Sequence, residues 1–538
     1  MSNIVKNKKI DILTIIFLSV ISLFVLYIDR YTASNFVIIP DSTEYALAAH
    51  RFVTSGEYKI LVDGHWRPPR YPPWFSVLII APAYIILGLE PGNAIYSITF
   101  FGILGILIAF FIGKKVGGYI GGVAASLLVL ALPIYRIYSK YVMTDIPTTV
   151  LIMLICAFYM AFKNKKKIRS SKFLIPGVLL ALCASLRPIC GFAILPFIIM
   201  VFKSYGIPKK VKMFIYLLSP LFFITITTFI YNYTIFESIS RTGYHFWTSV
   251  PYDYPYLTFS YKYIPVNIIV LWKSKIFLFF LIYVLFILLG FKISSDKEKA
   301  YNDNCKLTKN YFTHLLEFTL FAAGPTIVFY LLYFYPTPRF YLPVLVLSAI
   351  TIGGIIGKLF DRTHYLALLS LFILIIISQF IMELYSFNTS SDLLKRRATV
   401  NEILAYTPEN SWIISSIEPA YIEYLLGENS KRRVVPISRN IEYADKLITH
   451  RKIPSPQPPP KNWRDSRCPG LIKGGAEEAI KIVASEQLDL IAQKIALGHP
   501  VFLTTANIPQ QDIPILKELE KRFNFVEYSK NLIELKKR

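Results

Sequence analysis

Charged side chains are scarce in this chain. They make up 17% of its 538 residues, where soluble domains carry about a quarter. Acidic residues are the rarer sign, 34 against 58 Lys and Arg, so the formal charge is +24. No soluble basic surface with interleaved aromatics stands out, which argues against a nucleic-acid partner. Basic residues also collect in the cytoplasmic loops of membrane proteins, and that reading suits the charge better. Cysteine is scarce too, with five residues. Their odd number and scatter argue against a disulfide framework, a metal cluster or a redox pair. Cys156, Cys183 and Cys190 lie in or beside apolar segments, where a buried thiol is ordinary. No metal-ligand spacing, nucleophile elbow or Gly-rich phosphate loop stands out, so the common local signatures of zinc, serine-hydrolase and nucleotide chemistry are missing.

Apolar sequence is abundant instead. Hydrophobic residues reach 54%, and the mean hydropathy is +0.48. Twelve apolar segments are visible: 10–28, 74–89, 94–113, 117–134, 146–162, 173–186, 189–203, 212–231, 275–291, 316–335, 340–358 and 364–384. Most can cross about 30 Å of hydrocarbon. The first is long for a signal peptide and lacks a small-residue cleavage site after it. The 40 Phe and 36 Tyr crowd many segment ends, as in an interfacial aromatic belt. The expectation is a polytopic α-helical membrane protein with about 11–13 transmembrane helices.

Charge orients the segments. Lys6, Lys8 and Lys9 place the N-terminus in the cytoplasm, with the basic loops 163–172, 203–212 and 292–309. If all twelve segments cross, Asp145 falls inside and the pair Lys114 and Lys115 outside. Segment 74–89 is short and contains Pro82. As a re-entrant or interfacial segment it leaves eleven crossings, every basic loop inside and Asp145 outside; an unrecognised crossing elsewhere gives the same parity. The expected domains are a transmembrane region, 1–385, with an outer loop at 29–73, and an extracytoplasmic soluble α/β domain at 386–538. In the latter, helices are expected at 392–406, 418–426, 475–497 and 511–523, with strands at WIISS, RVVP, VFLTT, FVEY and LIEL.

The polar residues able to do chemistry gather in a few places. Pro40–Trp74 joins Asp41, Glu44 and Tyr45 to Arg67 and Arg70 within RPPRYPPW. Asp41 suits a helix N-cap; with Glu44 it also suits binding a hydroxyl-rich acceptor, taking its proton or holding a divalent cation. The arginines suit snorkelling at a re-entry point or bidentate contact with phosphate. Asp145 in MTDIP resembles a helix start, yet Arg136 and Lys140 accompany it on the side where cations are unusual. Arg187 before Pro188, and Arg339 with Tyr341 in YPTPRFYLP, occupy similar turns and suit either helix anchoring or phosphate contact. The aromatic stretch 232–272 reads as a long loop, a sugar-stacking cover or an interfacial belt.

The order DSTEY, ALAAHRFVTSGEY, RYPPWFSVLIIAP, MTDIP and PRFYLPVLVL resembles GT-C glycosyltransferases of the dolichyl-phosphate-mannose protein mannosyltransferase type. It is especially similar to their bacterial relatives, which include the lipid A aminoarabinose transferase. The likeness covers roughly 10–385. It implies inverting transfer of a sugar from a polyprenyl-phosphate carrier to a lipid, glycan or protein acceptor outside the cytoplasm. It places the family's two acids on Asp41 and Asp145, its basic residue beside paired prolines on Arg67 or Arg70, and its late arginine on Arg339. Relatives often carry two adjacent acids in the first loop, whereas here Ser42 follows Asp41 and the second acid is Glu44. No tightly bound cofactor is expected; a divalent cation and the oligomeric state stay open. The competing classes are a lipid or polysaccharide transporter, which needs charges spread along mid-membrane helices, and a non-catalytic scaffold.

Overall fold

In a bilayer an apolar chain has no water for its backbone, so each segment must satisfy its own N–H and C=O groups as a helix. The computed structural model obeys this. It describes residues 10–23, 26, 40–62, 65–165, 168–204, 206–247, 255–298, 303–360, 391–415, 422, 426, 430–436, 488–505 and 513–538. In chain order the helices of the apolar region are α1 (Ile10–Leu23), α2 (Pro40–Ser55), α3 (Ser76–Leu87), α4 (Ala94–Ala131), α5 (Pro133–Tyr138), α6 (Asp145–Lys163), α7 (Ser170–Leu186), α8 (Pro188–Lys203) and α9 (Ile207–Phe236). They continue as α10 (Tyr261–Lys273), α11 (Ile276–Phe291), α12 (Asn310–Leu331) and α13 (Pro338–Leu359). Among the described residues, α4, α6, α9, α12 and α13 are each long and apolar enough to cross a membrane, and α10 with α11, bent by 78°, make a sixth candidate. The chain is an integral membrane protein. The segment expected at 364–384 lies outside the described residues. The expected loop 232–272 is shorter than its aromatic composition suggested, because Ile264–Lys273 continues as an apolar helix.

Two compact units emerge. One holds Met1–Phe36, Ile95–Ile230 and Tyr256–Phe387; the other holds Val37–Ala94, Tyr231–Pro255 and Asn388–Arg538.

In the first unit, α4 is a helical hairpin. Gly117 and Gly118 break the helical backbone, the latter at φ 71°, a conformation that costs glycine little. The two arms then lie side by side, with Ser126 Oγ donating to Ile106 O at 3.0 Å and Tyr135 Oη, on α5, to Gly102 O at 2.6 Å. The expected segments 94–113 and 117–134 are these two arms. Lys114, at the bend, pairs with Asp11 at the start of α1, while Leu26 meets Gly102 further along the same arm. α1 therefore runs antiparallel to the first arm. α3 rises about 18 Å, short of the hydrocarbon thickness by itself. Lys115 over Tyr311, Lys163 paired with Glu317, and Lys358 over Phe312 gather toward the Lys114 end. Asp145 begins α6 at the opposite end.

Glycine brings α13 against the hairpin. A Cβ on Gly117 would lie 1.9 Å from Gly354 O, and one on Gly357 would lie 2.1 Å from Gly117 O. Such contacts let backbones approach as apolar helices in lipid require. α9 is packed differently: Met213 and Leu217 are buried, while Phe222, Phe223 and Ile230 are exposed along its length, as suits a lipid-facing helix.

The second unit contains α2, a short antiparallel hairpin of β1 (Ile60–Val62) and β2 (His65–Arg67), α3 and a C-terminal sheet. The sheet has β3 (Trp412–Ser415), β4 (Arg433–Pro436), β5 (Val501–Thr504), β6 (Phe523–Ser529) and β7 (Leu532–Lys537) in the order β4-β3-β5-β7-β6. The first three strands run parallel and β7 pairs antiparallel with β5 and β6. With helices α14 (Ser391–Tyr406), α15 (488–496) and α16 (Ile513–Arg522) this is a mixed α/β fold. Ile414, Leu488, Ile491, Leu503, Leu519 and Leu535 share its core. Buried Arg432 donates to Thr407 O at 2.6 Å, satisfying a carbonyl just past the end of α14. The helices expected at 418–426 and over 475–487 lie largely outside the described residues.

Replacing Gly117 by Val is expected to cost at least about 1–3 kcal/mol through overpacking. The thermal unfolding midpoint of purified protein in detergent, and the yield of monodisperse material, should both fall; an unchanged midpoint would show that α4 and α13 pack further apart.

Candidate active site

α2 brings two carboxylates to one face, because Asp41 and Glu44 stand three residues apart on a helix. Asp41 lies inside the first turn, which begins at Pro40. After β2, Pro68, Pro69, Pro72 and Pro73 hold the backbone out of helix. That extended run presents Arg70 to α2. Its backbone N–H donates to Glu44 Oε1, its Nε to Glu44 Oε2 at 2.6 Å, and its Nη2 to Asp41 Oδ1 at 3.4 Å. Burial raises the pKa of the Glu44 carboxyl, against the charge and hydrogen bonds of Arg70. For Arg70 burial works against the charge, but Glu44, Tyr71 and Asp41 outweigh it and the guanidinium stays charged.

Aromatic rings floor this cluster. Tyr45 stacks on Tyr71 at 4.2 Å and meets the edge of Phe75 at 4.6 Å, and Tyr244 meets Tyr71 at 5.2 Å. Tyr45 is itself buried, so its ring serves packing more than an open sugar face. Arg67 is also buried, at the end of β2. Gly243 lies against the arginine loop: a Cβ there would be 2.1 Å from Pro69 O and 2.6 Å from Arg70 Cα. Tyr252, Asp253 and Tyr254 lie outside the described residues.

A second cluster lies in the other unit, at the start of α6. Thr144 sits at the N-cap position without capping through its side chain. Its Oγ1 accepts from Arg187 Nε at 3.0 Å, and Arg187 Nη2 donates to Asp145 Oδ1 at 2.6 Å. The residues that looked like a helix cap thus hold an arginine from the end of α7. Asp145 is buried, and its Oδ2 has no hydrogen-bond partner among the described residues. Arg339 stands near Arg187, with Phe340 in common: each guanidinium carbon is 5.4 Å from the Phe340 ring centroid. Tyr330 stacks on that ring at 4.4 Å. Burial, then the Asp145 charge, pushes Tyr138 up to about 12, with Arg339 and Arg187 opposing. Tyr341 is buried, and its hydroxyl has no hydrogen-bond partner among the described residues. Arg136 and Lys140 are buried nearby in sequence; burial lowers the pKa of Arg136 and brings Lys140 down to about 8.

The structure therefore gathers Asp41, Glu44 and Arg70 in one unit, and Asp145, Arg187 and Arg339 in the other. Among the described residues no three or more His, Cys, Asp and Glu side chains form a group that could hold a metal ion. Sequence reading took Thr144 only as a possible helix cap, and it passed over Tyr138, Tyr330 and Gly243. Tyr330 carries no local signal, since it meets Phe340 only through the turn between α12 and α13. Gly243 had one, a glycine inside an aromatic stretch.

Lys140 gives a pH prediction. Its folded pKa lies below the ordinary lysine value, so between about 8 and 10.5 the unfolded chain binds more protons. Stability is then expected to rise with pH in that window, by at most about 1.4 kcal/mol per pH unit. Thermal unfolding in detergent at pH 8 to 10 should show the rise, and Lys140→Met should flatten it.

No family model and no curated protein matches this chain. Solved structures do. ArnT from Cupriavidus metallidurans, bound to undecaprenyl phosphate, matches with a TM-score of 0.57 at 10% identity, over 97% of this chain and 97% of that one. The oligosaccharyltransferase AglB from Archaeoglobus fulgidus, in complex with an inhibitory peptide and a dolichol-phosphate, matches with a TM-score of 0.47 at 13% identity, over 82% of this chain and 68% of that one. At 10% identity the ArnT likeness is one of fold, and the chain has the GT-C fold.

Proposed function

We propose that the chain is an inverting glycosyltransferase that moves a sugar from a polyprenyl-phosphate carrier to a lipid, glycan or protein acceptor. The observation that carries this reading is the pair of guanidiniums, Arg187 and Arg339, flanking Phe340 beside Asp145. They stand at the end of the first unit away from Lys114, Lys163 and Lys358. Cations at the lysine-poor end of a membrane protein suit an anionic ligand. The ArnT structure of like fold holds a polyprenyl phosphate, which supports a phosphate as that ligand. By the positive-inside rule this end faces away from the cytoplasm, with 386–538 as an extracytoplasmic soluble domain.

In the proposed reaction an acceptor oxygen attacks the anomeric carbon opposite the phosphate. The bond from that carbon to the phosphate oxygen breaks, and its electron pair leaves with the lipid phosphate. Arg187 and Arg339 stabilise the charge on that oxygen. On the sequence resemblance alone, Asp41 is assigned the proton of the acceptor. Asp145 orients Arg187 through its ion pair. Arg67 is left as a further candidate for the phosphate.

Membranes containing the protein, given tritium-labelled undecaprenyl-phosphate hexoses and pentoses, should pass label to an endogenous acceptor. Asp41→Asn is expected to lower transfer by about 10²–10⁴-fold, and Arg339→Ala by about 10²–10³-fold. Near-normal transfer by folded Asp41→Asn would rule Asp41 out as the base.

A further inference from the structure

We propose that Glu44, which sequence places among the substrate contacts, is a positioning residue that sets Arg70, and through it Asp41. The inference rests on Asp41 being the base of the proposed reaction.

Both oxygens of Glu44 are committed to one residue. Oε1 accepts the backbone N–H of Arg70, and Oε2 accepts Nε at 2.6 Å. A carboxylate gripping main chain and side chain of the same arginine fixes where the guanidinium points. Charge-assisted bonds of this kind are the strong ones. What remains of the fork, Nη2, reaches Asp41 Oδ1 at 3.4 Å. The loop cannot easily slide to relax this arrangement. Prolines stand at 68, 69, 72 and 73, and Gly243 lies too close to the Pro69 and Arg70 backbone to admit a side chain. Tyr58 Oη donates to Tyr71 O at 3.1 Å and Pro72 O at 3.2 Å, holding the next two residues.

Exposure separates the roles of the two acids. The Glu44 side chain is 5% exposed, while that of Asp41 is 21% exposed. A buried acid with both oxygens engaged cannot take a proton from an incoming acceptor without giving up Arg70. The more open acid, one turn earlier, can. Glu44 is therefore the fixed point: it holds Arg70, and Arg70 orients the Asp41 carboxylate.

A double-mutant cycle on the full-length protein in detergent tests this. In transfer assays with whichever undecaprenyl-phosphate sugar the wild type uses, Glu44→Ala and Arg70→Ala should each lower kcat by about 10²-fold, the cost of slight misplacement. The KM for donor should stay within about twofold, as expected when uniform binding is untouched. The double variant should lose no more than the worse single. It removes both members of the Glu44–Arg70 pair together, so it still carries the test should Glu44→Ala alone unfold. Glu44→Asp should recover part of kcat. Additive losses, or a rise in KM with kcat unchanged, would overturn the inference and return Glu44 to the substrate contacts. A second readout needs no substrate. Carbodiimide labelling of Asp41, followed by mass spectrometry, should speed up several-fold in the double variant as the carboxylate loses its guanidinium partner. Unchanged labelling overturns the inference, whereas active Asp41→Asn with faster labelling overturns only the choice of base.

Discussion

A charge out of water must find an opposite charge or a hydrogen bond, and this constraint organises the polar residues of the chain. Removing one partner of a buried pair typically costs about 3–5 kcal/mol. Asp145 pairs with Arg187, Glu44 with Arg70, and Lys163 with Glu317. Each tie joins segments that are distant in sequence: α6 to α7, α2 to the proline-rich loop, and α6 to α12. In an otherwise apolar protein these few bonds decide which helix ends meet. The same bonds set side-chain orientation where chemistry is proposed.

Close helix packing supplies the rest of the frame. Without hydrophobic driving force between helices in lipid, small residues and interhelical hydrogen bonds must hold them. The hairpin of α4 and its glycine contacts with α13 meet that need. The hairpin also orders the first unit from end to end. Its bend sits with Asp11, its open end toward Leu26, and so Asp145 lies away from the lysines. That separation gives the arginines near Phe340 their interest, because cations gathered only at the lysine-rich end would need no ligand to explain them.

The two acidic clusters differ in kind. Around Asp145 the carboxylate is fully enclosed and tied to an arginine that shares Phe340 with a second one. Around Asp41 the outer acid keeps more exposure than its neighbour Glu44. An enclosed carboxylate is suited to holding cations in place. A partly open one is suited to exchanging a proton.

Much of this was legible in sequence because lipid imposes simple rules. Apolar length marked the helices, basic loops marked one end, and the closing strands announced themselves by alternating apolar residues. Pro40–Trp74 stood out because polar residues are conspicuous beside hydrocarbon. Partner choice was not legible. MTDIP read as a helix cap, yet Thr144 and Asp145 spend their oxygens on Arg187, which arrives 42 residues later. Arg67 and Arg70 looked equivalent, and only the fold distinguished the one that meets Glu44. The chain by itself determined where helices form, since each segment's hydrogen bonds are local. Tertiary structure alone decided which charges pair, because an ion pair depends on distances of a few ångströms between segments far apart in sequence.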